Sequence, residues 1–454
     1  MKEKSMVTNM TEGSVFRHLV KFALPLLLAN CLQTLYTTVD ALVVGRFVGT
    51  IGLSAVSTCG ELIHFYTMIA MGLTSGGQII IAQFVGKNDK EAISKTIGSL
   101  FTLLVVTSLG LTVFCLLALD WQLAIMNLPP EAYSEGKYYT LISGSGLLFV
   151  FGYNGVSAVL RGLGDSKRPL LFIGIASVAN LLLDLLFVCV FHWGAAGAAL
   201  ATIMGQAFSL IASLIYLYRR RESFGFDFKL RSFIPVKKYL VMLLRLGGPM
   251  AVQFAVIMVS VIYISAQINL FGVAASAANG VANKLENIIR IVSNSVSTAA
   301  SAMIAQNIAA RKISRCNKIL GYSMILCVAW AALCSAAIFL FPDKIFAIFD
   351  GSSEVMTYAL IFAPAGVVCY MGNGIRATCN ALMNGIGFAS LSLVTGLLDS
   401  VVARIGFSIL LGYVLDMGIL GFWYGSALAG YVPIVISMTY YLTGKWKTHK
   451  LITQ

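Results

Sequence analysis

The sequence predicts an all-α polytopic membrane protein with twelve transmembrane helices in two pseudo-symmetric six-helix bundles, an N-lobe and a C-lobe. An apolar composition, long uncharged runs and an internal repeat carry that expectation. The 454-residue chain is 58% hydrophobic and 11% charged, with a mean hydropathy of +0.85. Soluble domains are about 25% charged. A chain this apolar cannot shield its surface from water, so its solvent is lipid. The nine cysteines lie in or beside apolar runs and form no CxxC pair, which reads as small apolar packing and not as metal or redox chemistry.

The first ten residues, MKEKSMVTNM, are polar, and the apolar run after them is longer than that of a cleaved signal segment, so the first span reads as retained. A helix needs about 20 apolar residues to cross a bilayer. Ile97–Leu119, Trp193–Tyr218, Ile319–Pro342 and Met417–Gly444 supply this with no charge at all. Leu246–Asn283 is uncharged over 38 residues, too long for one span, and NLFGVAAS (Asn269–Ser276) divides it. The same reading along the chain gives helices over 18–43, 51–78, 96–118, 137–160, 168–190, 194–218, 241–269, 274–303, 319–341, 357–382, 390–413 and 418–442.

Charge placement sets the topology. Twenty-five Lys and Arg fall at the two termini and in alternate loops, whereas the opposite loops hold three: Arg46, Lys137 and Lys344. The richer side is cytoplasmic by the positive-inside rule. The net charge of +13 is therefore a topology signal, with anionic lipid headgroups as a secondary partner and no nucleic acid. The expected location is the cytoplasmic membrane, multi-pass, with both termini inside.

The repeat appears at a nearly constant spacing. Pro25 matches Pro249 at an offset of 224, and Ile81–Gln83 (IAQ) matches Ile304–Gln306 at 223. Gly49 matches Gly272, and VLRGLG (Val159–Gly164) matches LMNGIG (Leu382–Gly387), both at 223. GAAG (Gly194–Gly197) matches GILG (Gly418–Gly421) at 224. The organisation read from this is an N-lobe over 1–218, a basic cytoplasmic linker over 219–240, and a C-lobe with its tail over 241–454. Six helices per half is an even number, so both halves enter the membrane from the same side, as in transporters that work by alternating access.

Five acids fall inside the spans: Asp40, Glu61, Asp184, Glu286 and Asp399. Ionisable groups at membrane depth are costly and usually face a protein interior or a water-filled cavity. Asp40, Asp184 and Thr202 all lie roughly 9–12 Å below the outer surface at about 1.5 Å per residue. Tyr36 is one turn from Asp40, and Asn180 one turn from Asp184 on the same face. These five side chains make an oxygen-rich cluster in one half. Its two carboxylates can share a proton, and its oxygens can coordinate a hard monovalent cation. The second half does not copy it: Tyr263 stands for Asp40, Arg404 for Asn180, Ser408 for Asp184 and Ser426 for Thr202. Glu286 and Arg290, at i and i+4, read as an ion pair or a C-lobe cleft contact. Asp399 and Arg404 are five apart, share no α-helical face, and read as pairing with other helices.

On these residues the chain resembles the multidrug and toxic compound extrusion (MATE) family over nearly its full length. The cues are ALPLLLANCLQTLYTTVDALVVGRFVGTIGLSAVS, GGQIIIAQFVGKND, VLRGLGDSKRP and NLLLD. The resemblance implies cation-coupled export of amphipathic organic cations through a V-shaped pair of six-helix lobes. It also implies the N-lobe cation site of the family's DinF-like branch at Asp40, Asn180, Asp184 and Thr202, with Tyr36 beside them. These residues are candidate Na+ ligands. Pro25 matches a helix 1 proline that members of the family use for bending. The acidic C-lobe site of another branch is absent: Ile257 and Asn373 stand at its positions.

The expected function is a cation-coupled antiporter, driven by H+ or Na+ with no other cofactor, that exports amphipathic, cationic compounds as a monomer. No P-loop occurs, so ATP is not the expected driver, and no catalytic motif points to an enzyme. The alternative is a flippase for lipid-linked saccharides. It would be expected to line its cleft with several basic residues, whereas few cations lie inside the spans: Lys284, Arg290, Arg376 and Arg404, all in the second half.

Overall fold

The computed structural model describes residues 8–126, 128–349 and 352–453; Lys2 and Lys4 of the basic set lie outside them. Among the described residues there is no strand. The chain runs as α1 (Val15–Phe47), α2 (Gly49–Gly86), α3 (Lys90–Leu117), a short α4 (Leu119–Ile125), α5 (Tyr133–Ser145) and α6 (Leu147–Gly162). It continues with α7 (Lys167–Asp184), which passes into a π-helical turn Leu185–Val190, and α8 (Gly194–Arg219). After the linker come α9 (Lys237–Asn269), α10 (Val273–Ala309), α11 (Ile313–Leu340), α12 (Pro342–Ala347) and α13 (Ser353–Ile386). The last part is α14 (Ala389–Leu397), π-helical Leu398–Ile405, α15 (Gly406–Ile409), π-helical Leu410–Val414, α16 (Gly418–Ala429) and α17 (Tyr431–Leu442).

Among the described residues eleven spans are long and apolar enough to cross a membrane, and a twelfth is the α5–α6 pair, bent by 45°. All twelve expected helices are present, most of them longer than expected. The bend falls in the run Ser143-Gly144-Ser145-Gly146, and Gly/Ser pairs are a usual site of sharp helix kinks. Gly146 also lies against Ile203, where a Cβ would come within 2.3 Å. Of the nine cysteines, five are buried and Cys31 is exposed on α1.

Two compact units result. One is built on Leu24–Ala251, with residues 8–9 and Thr453; the other on Val252–Ile452, with Met10–Ala23. α1 and α9 each contribute to both, and each changes unit within two residues of its internal proline, Pro25 or Pro249. Proline removes one helical hydrogen bond, so these are the points where each long helix is least tied along its own axis.

The repeat reaches down to backbone dihedrals. Residues with positive φ recur in register: Gly49 with Gly272, Asn88 with Arg311, Gly164 with Gly387, His192 with Asp416, and Gly194 with Gly418. The π turn Leu185–Val190 recurs as Leu410–Val414. Packing in the first unit relies on small residues, as is usual where lipid gives no hydrophobic drive between helices, whereas the second buries Phe346, Phe362, Tyr370, Phe422 and Trp423 among its alanines. In the first unit Ala55, Cys59, Ala132, Ala195 and Ala198 are fully or almost fully buried beside Val44, Leu123 and Val188.

Candidate functional site

The site is built by α1, α7 and α8 of the first unit. α7 and α8 form a hairpin held by Ser209 Oγ, which donates to the Phe172 carbonyl at 2.9 Å. The N-terminal end of α8 is pinned by Glu135, whose Oε2 accepts from the Ala195 N–H at 2.7 Å. Gly205 lets the helices approach closely: a Cβ there would sit 2.9 Å from the Ala176 carbonyl oxygen and 3.3 Å from Asn180 Cβ. This approach brings Asn180 Nδ2 to 3.2 Å from Thr202 Oγ1, to which it donates.

Asp184 is the last α-helical residue of α7 before the π turn and is fully buried. Its carboxyl lies beside the Asp40 carboxyl of α1 and the Asn180 amide. Tyr36, one turn back on α1, lies beside Asp40 and the Gln206 amide. All five residues expected to cluster, Tyr36, Asp40, Asn180, Asp184 and Thr202, are thus brought together. Pro25 lies on the same α1, well inside the helix.

The electrostatics of the pair are distinctive. Asp40 Oδ1 and both oxygens of Asp184 are buried and accept no hydrogen bond. Buried polar atoms are nearly always partnered, and adjacent carboxylates cannot both stay charged in such a place without a counter-charge. Three donor-free oxygens, with an amide and a hydroxyl beside them, fit a shared proton or a small hard cation such as Na+. Among the described residues no group of three or more His, Cys, Asp or Glu gathers as a transition-metal site would require.

Sequence reasoning missed two neighbours. Gln206 stands one turn after Thr202 on α8, and its Oε1 is buried without a donor. The i,i+4 spacing from Thr202 was the available signal. Tyr139 on α5 lies near Asp40 and Tyr36. Its depth could not be read because its span is bent.

The second unit holds a different polar cluster. Glu286 and Arg290 form the expected i,i+4 pair at 3.6 Å. Asp399 and Arg404, expected to face apart, instead pair at 3.4 Å. The cause is the π-helical segment between them: its wider turn, closed by i→i+5 hydrogen bonds, brings i and i+5 to one side. Each also reaches another helix, as expected. Arg376 Nη1 of α13 meets Asp399 Oδ2 at 2.9 Å, and Arg404 Nη1 donates to Ser426 Oγ of α16 at 2.9 Å. Asn373 Nδ2 donates to Glu286 Oε1 at 3.3 Å.

A two-repeat, multi-pass helical membrane protein with an orphaned carboxylate pair inside its first repeat is of the transporter class. The chain belongs to the MatE family, whose profile matches residues 25–186 and 249–414. It is 28% identical over 444 residues to the probable multidrug resistance protein YpnP of Bacillus subtilis, covering 98% of each chain. It is 23% identical to the probable multidrug resistance protein NorM of Thermotoga maritima, covering 96% of this chain and 94% of that one. Among solved structures it is similar to a MOP superfamily transporter from Pyrococcus furiosus described as having a binding pocket of reverse polarity, with a TM-score of 0.90, 21% identity, and coverage of 99% and 100%. It is equally similar in fold to a multidrug resistance MATE family transporter in an outward-facing conformation, at a TM-score of 0.90 and 21% identity over 99% and 100% of the two chains.

Proposed function

We propose that the chain is a multidrug efflux transporter, not an enzyme. It exports amphipathic organic compounds, cationic ones among them, across the cytoplasmic membrane in exchange for inward H+ or Na+. Its relatives bear multidrug resistance names, and the flippase alternative finds no support among them. The observation that carries the coupling role is the set of three buried carboxylate oxygens of Asp40 and Asp184 without a donor. A group whose charge is compensated only when an ion arrives can bias a two-state cycle, provided the ion binds one state better than the other.

The chain's own residues divide the work. Asp40 and Asp184 take up the proton or, with Asn180 and Thr202, the sodium ion. The Asn180–Thr202 bond fixes the α7–α8 hairpin against which α1 moves. Loading neutralises the pair, and α1 repacks with Pro25 as the point of least resistance. Both termini and the linker lie in the cytoplasm on this reading, and the protein acts as a monomer. Efflux of a cationic dye from vesicles under an imposed proton or sodium gradient tests it. Gradient-driven export by one ion and not the other identifies the driver, and no export under either gradient would reject the proposal.

A further inference from the structure

The two repeats place corresponding pairs at corresponding points. Asn180 donates to Thr202 at 3.2 Å in the first unit, and Arg404 donates to Ser426 at 2.9 Å in the second, both residues shifted by 224. The chemistry is inverted. Where the first unit has an amide and two carboxylates, the second has a guanidinium, with Ser408 in place of Asp184 and Tyr263 in place of Asp40.

The cations outnumber the anions. Arg290, Arg376 and Arg404 face Glu286 and Asp399, a net charge of +1 from three guanidiniums against two carboxylates. Each guanidinium carries five N–H donors, but the acceptors that the described residues supply are few. Arg376 has Asp399 Oδ2, Arg404 has Asp399 Oδ1 and the Ser426 hydroxyl, and Arg290 has only Glu286 Oε1 at 3.6 Å, beyond hydrogen-bond length. Arg404 is 7% exposed, and its Nε is buried with no acceptor.

The place is functional by its depth. Arg290 lies within a residue of the midpoint of Val273–Ala309, and Asp399 and Arg404 straddle the midpoint of Ala389–Val414. The Arg290 side chain is nevertheless 39% exposed. A guanidinium in mid-span does not face hydrocarbon at acceptable cost, so this exposure is to a water-accessible side of the unit. Substrate sites of such transporters lie near the bilayer midplane.

We propose that Arg290, Arg376 and Arg404 form an oxyanion site in the second unit that takes the carboxylate of an amphipathic substrate. The planar guanidinium fork matches a carboxylate in two-point contact, and Glu286 occupies part of that donor set as a competitor. This rests on the reading of the chain as an exporter of amphipathic compounds, and adds acidic and zwitterionic members to its substrates.

The test is binding to the purified full-length protein in neutral detergent, with no ion gradient. The probes are dansylaminoundecanoate and a dansyl amphiphile of the same length ending in a quaternary ammonium. The parent is expected to bind the carboxylate probe more tightly by roughly tenfold, the size of one charge-assisted hydrogen bond. Arg290→Gln should abolish that preference and Arg290→Lys retain part of it. Glu286→Gln, which frees donors, should strengthen it, so the result does not depend on the folding of an arginine variant. No carboxylate preference in the parent, or a preference that Glu286→Gln leaves unchanged or weakens, overturns the site. Failure here with gradient-driven efflux of the ammonium probe intact would reject the oxyanion site and leave the transport reading standing. Arginine-dependent carboxylate binding without efflux of either probe would do the reverse.

Discussion

Replacing Gly205 by alanine tests how closely α7 and α8 must pack to build the cation site. The new Cβ would sit 2.9 Å from the Ala176 carbonyl oxygen, a backbone atom that cannot rotate away, and relief to an ordinary 3.4 Å requires the helices to part by about 0.5 Å. Carried through to the Asn180–Thr202 bond at 3.2 Å, the same displacement breaks it. Alanine favours a helix over glycine by about 1 kcal/mol, whereas overpacking costs about 1–3 kcal/mol. The net expectation is a loss of about 0–2 kcal/mol. Gly174, on the same α7 with nothing within 4 Å of its would-be Cβ, is the control. Gly174→Ala keeps only the helix gain of up to about 1 kcal/mol. Denaturant titration of both variants in detergent, with dye efflux measured beside it, should separate them by about 1–3 kcal/mol, and only Gly205→Ala should lose efflux. Equal stability and equal efflux would show that the close approach at Gly205 does not position the site.

Asp399→Ala leaves Arg376 and Arg404 without their carboxylate partner, and breaking a buried pair costs about 3–5 kcal/mol; a loss under about 1 kcal/mol in the same titration would mean the pair is not buried in the membrane. A reporter fused after Phe226 should read as cytoplasmic, and one after Gly351, which lies outside the described residues, as external; one compartment for both would break the topology. The Asp120 carboxylate in α4 is held below the usual carboxylate range by the Lys137 ammonium and the Tyr133 hydroxyl. A lowered carboxylate stabilises above its unfolded value and loses that contribution as pH falls through its folded one. The parent should therefore exceed Asp120→Asn in thermal stability at neutral pH and converge with it in acid, and a gap that persists in acid would contradict the pairing.

Much of this fold was legible because lipid imposes a single strong rule: apolar runs of sufficient length become helices. The repeat was legible because its glycines mark positive-φ turns, as at Gly49 and Gly272. The cluster of Asp40, Asn180, Asp184 and Thr202 could be assembled from residue counts along α1, α7 and α8. The same counting failed where the helix is not α. The Asp399–Arg404 pair depends on a π-helical stretch with no sequence signature of its own, and Tyr139 lies in a span whose bend at Ser145 and Gly146 shifts the register of depth. The inverted polarity of the second repeat was visible as Arg404 in place of Asn180. The bond of Arg404 to Ser426, and the Asp399 carboxylate it shares with Arg376, became apparent only when the helices were packed.

Substrate efflux by Asp40→Asn decides whether the buried carboxylate pair couples ion uptake to export. The substitution keeps the size of the side chain and removes its charge, so it mimics a site loaded for good. Parent, Asp40→Asn and Asp184→Asn are compared in vesicles at matched protein levels under an imposed proton or sodium gradient, with drug binding measured separately. Asp40→Asn is expected to insert and bind drug but to export almost none against a gradient, and Asp184→Asn to be impaired to a lesser degree because Asp40 still carries a carboxylate. Export by Asp40→Asn at the parent's rate and with the parent's ion dependence would contradict this and make the carboxylate pair structural.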